Sequence, residues 1–282
     1  MKNVNSRFII NIVIIAVSAL LISSIIHILL EMIFPFGNSI TGKPNMVYFV
    51  PIMVIQVVLL VIVYNLIKEF LSYNQSWKKG LIFAILFLIS VQIPSVFGII
   101  AYEPNHAWQF FTDTKIANYI TMFGDIITFA IIGVLLGKLF PAKVTNANKT
   151  FKIGIASFIG AIIFPLFMFA IMRIFYSLIH VNDIYVPLQD SLWFNLIFYG
   201  IFFMTGFCLP VFHGIIKQNQ SRSRIGQILY TTLLFCLLWL PVQNFMVVFG
   251  WGFIGGFVFS LVSIIPIFLT ILITNYFIKS NK

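Results

Sequence analysis

The sequence predicts an all-α polytopic integral membrane protein, and its composition and apolar patterning carry that prediction. Of the 282 residues, 61% are hydrophobic and 9% are charged, and the mean hydropathy is +1.06. A soluble chain would carry about 25% charged residues, and a soluble domain could not hide this much apolar side chain in one core. The composition therefore excludes a soluble enzyme, a nucleic-acid-binding domain, a disordered chain and a coiled coil.

Eight apolar segments are long enough to cross a bilayer. A helix needs about 20 apolar residues for about 30 Å of hydrocarbon, because it rises about 1.5 Å per residue. The predicted spans are Phe8–Phe34, Met46–Ile67, Gly80–Tyr102, Ile116–Leu139, Phe151–Ile179, Leu192–Ile216, Ile228–Trp251 and Gly255–Ile278. The last two are separated only by Gly250-Trp251-Gly252, but together they are too long for one crossing. Eight transmembrane helices are therefore predicted.

The distribution of basic residues sets the orientation. Loops that stay in the cytoplasm carry an excess of Lys and Arg. With the N-terminus inside, 14 of the 17 basic residues fall on the inner side, while Lys43 and Lys115 fall outside and Arg173 lies within a span. The basic residues behind the net charge of +10 are therefore distributed as membrane topology requires and do not form one nucleic-acid-binding patch. Both termini are predicted inside, in a multi-pass protein of the cytoplasmic membrane of a bacterium, the source suggested by the Phe-, Ile-, Asn- and Lys-rich usage.

A parallel internal repeat of four plus four helices is compatible with this topology. The tripeptide Asn74-Gln75-Ser76 recurs as Asn219-Gln220-Ser221, and each copy is followed by basic residues, a glycine and a span that contains a proline. The halves would be residues 1–145 and 146–282, related by an axis along the membrane normal. Polar loop tripeptides also recur by chance, so a single undivided transmembrane domain over residues 1–282 is the alternative.

Small residues within the spans predict packing and not chemistry. Two GxxxG pairs would let helix backbones approach closely. These pairs are Gly133 with Gly137 and Gly252 with Gly256. Cys208 and Cys236 have no metal-binding spacing, and we expect both to be small buried apolar side chains.

Ionisable side chains within spans carry the strongest functional signal, because each costs about 2.5–3.5 kcal/mol at the centre of a helix. His27 and Glu31 are four residues apart and share one face of the first span. Asp125 lies well inside the fourth span, and Arg173 lies about two helical turns from the outer end of the fifth. The direction of each helix places all four at middle to outer depth.

These positions predict a polar cavity that opens at some stage to the outside. In it Arg173 would pair with Glu31 or Asp125, and His27 would tune the nearby carboxylate. Such a site suits protons or a small anionic or zwitterionic solute. The candidate residues for binding substrate or protons are Asp125, Arg173, Glu31, His27, Gln92 and Gln243.

Each candidate also has a structural interpretation. Arg173 could extend its side chain to the outer headgroups, Glu31 could lie at the interface, and His27 could be a hydrogen-bonded packing residue. Asp125 is the hardest to explain in this way, because it is deepest and its side chain is short. His213, beside Lys217 near the inner surface, is expected to be interfacial.

The sequence favours a carrier or permease over the other function classes. There is no H-E-x-x-H, G-x-S-x-G or Walker A motif, so no catalytic residue, metal or cofactor is predicted and an enzyme is disfavoured. A carrier of small solutes or ions, alone or as a permease subunit, needs only a polar site near mid-membrane. The alternatives are a membrane-embedded interaction protein, such as an immunity or resistance factor, a sensor or a subunit of a membrane complex, and an intramembrane enzyme that modifies lipids or peptides.

Overall fold

The computed structural model is helical over the residues that it describes, which are 2–33, 46–71, 73–94, 115–142, 151–179, 192–217, 222–250 and 252–280. Eight α-helices occupy these ranges. In chain order they are α1 Lys2–Ile33, α2 Met46–Ile67, α3 Ser76–Phe87, α4 Lys115–Leu139, α5 Gly154–Ile179, α6 Leu192–Lys217, α7 Arg224–Gly250 and α8 Gly252–Thr274. A 3₁₀ turn over Lys68–Phe70 follows α2, and a π-helical turn over Leu88–Gln92 follows α3.

A short antiparallel bridge accompanies the helices. Strand β1, Phe151–Lys152, pairs with β2, Lys279–Ser280, so that Phe151 lies opposite Ser280. The bridge joins the start of α5 to the end of α8. The predicted all-α class is confirmed, and so is the separation of the last two helices, because α7 ends at Gly250 and α8 begins at Gly252.

Within the described ranges, three helices are long and apolar enough to cross a membrane. Their apolar stretches are Ser6–Leu30, Met53–Phe70 and Gly154–Ile171. Shorter apolar stretches occur in three other helices, at Phe202–Lys217, Arg224–Trp239 and Leu261–Thr274. On α1, large apolar side chains such as Ile10, Val17 and Ile28 are about half exposed, which suits a helix surrounded by lipid. These helices support the membrane class, whereas eight crossings and inner termini stay a prediction.

The chain divides into two compact units, of which unit 1 comprises Met1–Leu88 and Gln109–Ala147. In unit 1, α1 packs against α2 and α4, and α3 packs against α4. Phe87 and Phe129 join α3 to α4 with ring centroids 5.1 Å apart. The unit therefore buries apolar side chains between neighbouring helices.

Unit 2 comprises Ile89–Trp108 and Asn148–Lys282. In it, α5 packs against α6 and α8, and α7 packs against α6 and α8. Its core centres on the fully buried Trp239, whose ring lies 6.1–6.2 Å from those of Phe164, Phe202 and Phe235. Cys208 and Cys236 are buried and free, as predicted.

Among the glycines whose surroundings the structure describes, one close helix crossing is found in each unit. In unit 1, a Cβ added at Gly80 would overlap the carbonyl oxygen of Gly133, and one added at Gly137 would overlap that of Ser76. In unit 2, a Cβ on Gly160 would overlap the carbonyl oxygen of Gly206. The predicted packing role of Gly133 and Gly137 is confirmed, whereas the Gly252 and Gly256 pair lies where the structure describes no side-chain surroundings.

Candidate functional site

Asp125 is the sequence-predicted site residue of unit 1 whose side chain the structure describes. It lies on α4 and is half-buried, between the buried Gly124 and the buried Thr128. The Thr128 hydroxyl donates to the Gly124 carbonyl at 2.9 Å, so its hydrogen-bonding capacity is used within the helix. Asp125 is therefore the ionisable group on this stretch of α4.

The register between α1 and α4 gives the depth of the other unit 1 candidates. Asn11 Nδ2 donates to the Leu139 carbonyl at 2.9 Å, and the rings of Phe8 and Phe140 meet at 5.5 Å. The start of α1 therefore lies beside the end of α4, and the two packed helices run antiparallel.

This register brings two candidates to one height. His27 lies sixteen residues beyond Asn11, and Asp125 lies fourteen residues before Leu139. At 1.5 Å per residue, these positions are about 24 and about 21 Å from the shared end of the helices. Glu31 lies about 6 Å beyond His27, one helical turn further. The backbones of His27 and Asp125 thus stand at nearly equal height on two helices in contact.

The remaining candidates are less fully placed. The side chains of His27, Glu31, Arg173 and Gln243 lie outside the described residues, although all four positions are helical. Arg173 and Gln243 belong to unit 2, whereas Glu31 and Asp125 belong to unit 1. The predicted pairing of Arg173 with a carboxylate therefore concerns residues of different units, and it stays a prediction.

Gln92 lies in a distorted helical turn of unit 2. It ends the π-helical turn, two residues before Pro94. Pro94 has no N–H to donate to the Ser90 carbonyl one turn earlier, and the Thr205 hydroxyl of α6 donates to that carbonyl at 2.8 Å. A side chain from a neighbouring helix thus supplies the missing donor, which is how membrane helices accommodate proline. Single π turns are frequent at functional sites.

The structure also contains a buried polar group that the sequence did not predict. We call it the His213 cluster, formed by His213, Lys217, Thr231 and Asn275. His213 is fully buried, with Nδ1 2.8 Å from Thr231 Oγ1 and Nε2 3.1 Å from Asn275 Oδ1. Lys217 Nζ donates to the same Asn275 oxygen at 3.0 Å and to the Ile278 carbonyl at 3.1 Å. Far from being simply interfacial, as expected from the sequence, His213 is enclosed by protein.

The hydrogen bonds of this cluster assign donors and acceptors. Asn275 Oδ1 only accepts, so His213 Nε2 carries the hydrogen that it donates to this oxygen. Thr231 Oγ1 lies 2.8 Å from both His213 Nδ1 and the Gln227 carbonyl. Its hydrogen can therefore serve either acceptor. Asn275 Nδ2 is buried and has no hydrogen-bond partner within the described part of the chain.

The His213 cluster is strongly basic. Burial and then the nearby Arg224 guanidinium lower the pKa of Lys217 from its ordinary value. From Ser191 to Lys282 the sequence contains five Lys and Arg residues and no Asp or Glu. This stretch without a carboxylate is the sequence signal that could have indicated the cluster.

The corresponding ends of the unit 1 helices contain a carboxylate. We call this group the Glu69 cluster, formed by Tyr64, Lys68, Glu69 and Lys79. Lys79 is fully buried, and burial lowers the pKa of its ammonium while the Glu69 carboxylate opposes that shift. Ser76 fixes the chain beside this cluster, with its Oγ 3.3 Å from the Ala142 carbonyl and 3.2 Å from the Ala142 nitrogen.

Among the described residues, no group of three or more His, Cys, Asp or Glu side chains could hold a metal ion. No protein-family model matches the chain, and comparisons with curated proteins and with solved structures find no similar protein.

Proposed function

We propose that the chain is a multi-pass protein of the cytoplasmic membrane that carries a small solute or an ion, with its polar site in the outer half of the bilayer. The site is centred on Asp125, with His27 of α1 at nearly equal height and Glu31 one helical turn further along α1. Arg173, Gln92 and Gln243, which belong to unit 2, stay candidates for binding substrate or protons. The observation that carries the proposal is the α1–α4 register, which sets His27 and Asp125 at nearly equal height.

The helix directions within each unit support the proposed topology. In unit 1, Tyr64 Oη lies 3.5 Å from the Ser76 carbonyl, and Ser76 Oγ reaches Ala142, so the end of α2, the start of α3 and the end of α4 lie together. In unit 2, Lys217 at the end of α6 reaches Ile278 just after α8. Such alternation is what eight crossings with both termini inside require.

The chemistry of the site suits protons or a charged solute. A carboxylate removed from water holds its proton more readily, and an adjacent imidazole can exchange that proton near neutral pH. A carboxylate and an imidazole can also bind the charged groups of an anionic or zwitterionic solute, if a charged group of the solute replaces one of the two as the partner of the other. Both proton exchange and solute binding would depend on Asp125 of α4.

The test is transport by purified protein in liposomes. Proton flux is followed with an enclosed pH-sensitive dye, first alone and then with a panel of anionic and zwitterionic solutes on the outside. The variant Asp125→Asn should lower the flux at least about tenfold, since it removes the charge and the titratable proton. Asp113→Asn, which makes the same change in a predicted outer loop, is the matched control and should transport normally.

The result separates the carrier from its main alternative. Flux lost in Asp125→Asn and retained in Asp113→Asn supports the proposal. Absence of flux of any tested solute in the unmodified protein, or equal flux in both variants, contradicts it and favours the interaction-protein alternative.

A further inference from the structure

We propose that the His213 cluster, together with Arg224, binds a phosphate group at the predicted inner surface of unit 2. This site is separate from the outer-half site around Asp125 and does not depend on transport. Lys217, Arg224 and Asn275 supply the donors, and His213 holds Asn275 in position through the 3.1 Å contact between Nε2 and Oδ1.

The first argument is uncompensated charge. The Arg224 guanidinium lies over the ring of Tyr276, the residue that follows Asn275, and its charge acts on the half-buried Lys217 ammonium. Two neighbouring cations repel each other. The sequence after Asp190 contains no Asp or Glu that could lie between them. An anion bound between the two side chains would remove the repulsion.

The second argument is unused donor capacity. An ammonium group has three N–H donors, and Lys217 uses two of them, on Asn275 Oδ1 and the Ile278 carbonyl. Asn275 is 3% exposed, and its Nδ2 lacks a partner among the described residues. A buried donor without an acceptor costs about 1–3 kcal/mol. Two donors are therefore available to a ligand, the third N–H of Lys217 and the Nδ2 of Asn275.

The third argument is the orientation of the arginines. The Arg224 guanidinium lies 4.2 Å from the centre of the Tyr276 ring, and that of Arg222 lies 3.7 Å from the Tyr230 ring. Stacking occupies the face of a guanidinium and leaves its N–H edge available. Both arginines are exposed. The exposed Arg224 guanidinium therefore keeps N–H groups available, and a guanidinium fork fits two oxygens of a phosphate.

These donors favour phosphate over a carboxylate. Inorganic phosphate and a phosphate monoester have three or more terminal oxygens, enough to accept from an arginine fork, an ammonium and an amide at once, whereas a carboxylate has two. Lys217 is half-buried and Asn275 lies beneath it. The phosphate would reach Asn275 Nδ2 when the Lys217 ammonium exchanges the Asn275 oxygen for a phosphate oxygen. The phosphate can come from a lipid headgroup or from a soluble ion.

The experiment uses the full chain in nanodiscs and distinguishes these two sources. One arm compares lipid retention by native mass spectrometry in phosphatidylcholine discs with and without phosphatidic acid, whose headgroup is a phosphate monoester. The other titrates inorganic phosphate into phosphatidylcholine discs and follows the apparent Tm. Arg224→Gln should weaken binding about tenfold, as expected for one charge-assisted contact. Lys138→Gln removes an exposed cation from α4 in unit 1 and should leave binding unchanged.

A second variant keeps the test decisive if Arg224→Gln folds poorly. Asn275→Asp places a carboxylate beside Lys217, where it would compete with the ligand, so binding should be lost while the Tm without ligand is kept or raised. Retention of phosphatidic acid indicates a lipid headgroup, and a Tm rise with inorganic phosphate alone indicates a soluble ion. Binding in neither arm, or equal binding by Arg224→Gln and Lys138→Gln, would overturn the proposal.

Discussion

The two units pack their four helices in the same order but differ at the inner helix ends and at the closest crossing. In each unit the first helix packs on the second and the fourth, and the third packs on the fourth. The Glu69 cluster of unit 1 contains a carboxylate beside the buried Lys79, whereas the His213 cluster of unit 2 contains none. Similar helix packing therefore coexists with different surroundings for the cation, because Lys79 has a carboxylate nearby and the His213 cluster contains none.

The glycine crossings show the same divergence. The close contact in unit 1 joins the third and fourth helices, through Gly80 and Gly133, whereas that in unit 2 joins the first and second, through Gly160 and Gly206. A duplication would explain the common packing order but not these differences. The parallel repeat over residues 1–145 and 146–282 thus stays a prediction that the packing order favours.

The largest effect is expected where a side chain would meet a backbone at these crossings. In Gly80→Val the new side chain would overlap the Gly133 carbonyl and separate α3 from α4, at a cost of about 3 kcal/mol or more. Gly206→Val should do the same to α5 and α6. The measurement is the apparent Tm of each purified variant in one detergent.

Gly200→Ala is the control for the glycine variants. Its added Cβ would have nothing within 4 Å, so stability should hold or rise by up to about 1 kcal/mol from better helix propensity. A Tm unchanged in Gly80→Val would show that the unit 1 crossing is looser than that of unit 2.

The second effect tests the difference between the inner clusters. Glu69→Gln leaves the Lys79 ammonium buried without its carboxylate, and we expect about 2 kcal/mol of destabilisation, less than for a fully buried pair because Glu69 is half-exposed. In unit 2, Asn275→Asp adds the missing carboxylate and should leave the protein as stable or more stable. Thermal unfolding at pH 7 compares the two. Shifts of the same sign would contradict the assigned difference in charge compensation.

The helices were predictable from the sequence, whereas the clusters were not. Long apolar runs give helix positions closely, as with α2, predicted and observed over Met46–Ile67. His213 meets Thr231 and Asn275, which lie 18 and 62 residues further along the chain. No local period encodes such contacts, because they depend on how helices turn toward one another. The predicted outer site also depends on how the helices turn toward one another. The contacts between α1 and α4 give the relative heights of His27 and Asp125 along these helices, which the sequence alone gave only roughly.

The smallest effect is expected at the turn before Pro94 in unit 2, where Thr205 donates to the Ser90 carbonyl. Thr205→Val removes the hydroxyl that donates to the Ser90 carbonyl, and the loss of this hydrogen bond should cost about 1 kcal/mol. Thr205→Ser keeps the hydroxyl and should cost less than Thr205→Val, because it removes only a methyl group. The readouts are the apparent Tm and the liposome flux measured for Asp125→Asn. A loss of flux without a matching loss of stability would show that the turn beside Gln92 also serves the site, and equal Tm values for the two variants would show that the Ser90 carbonyl does not need this donor.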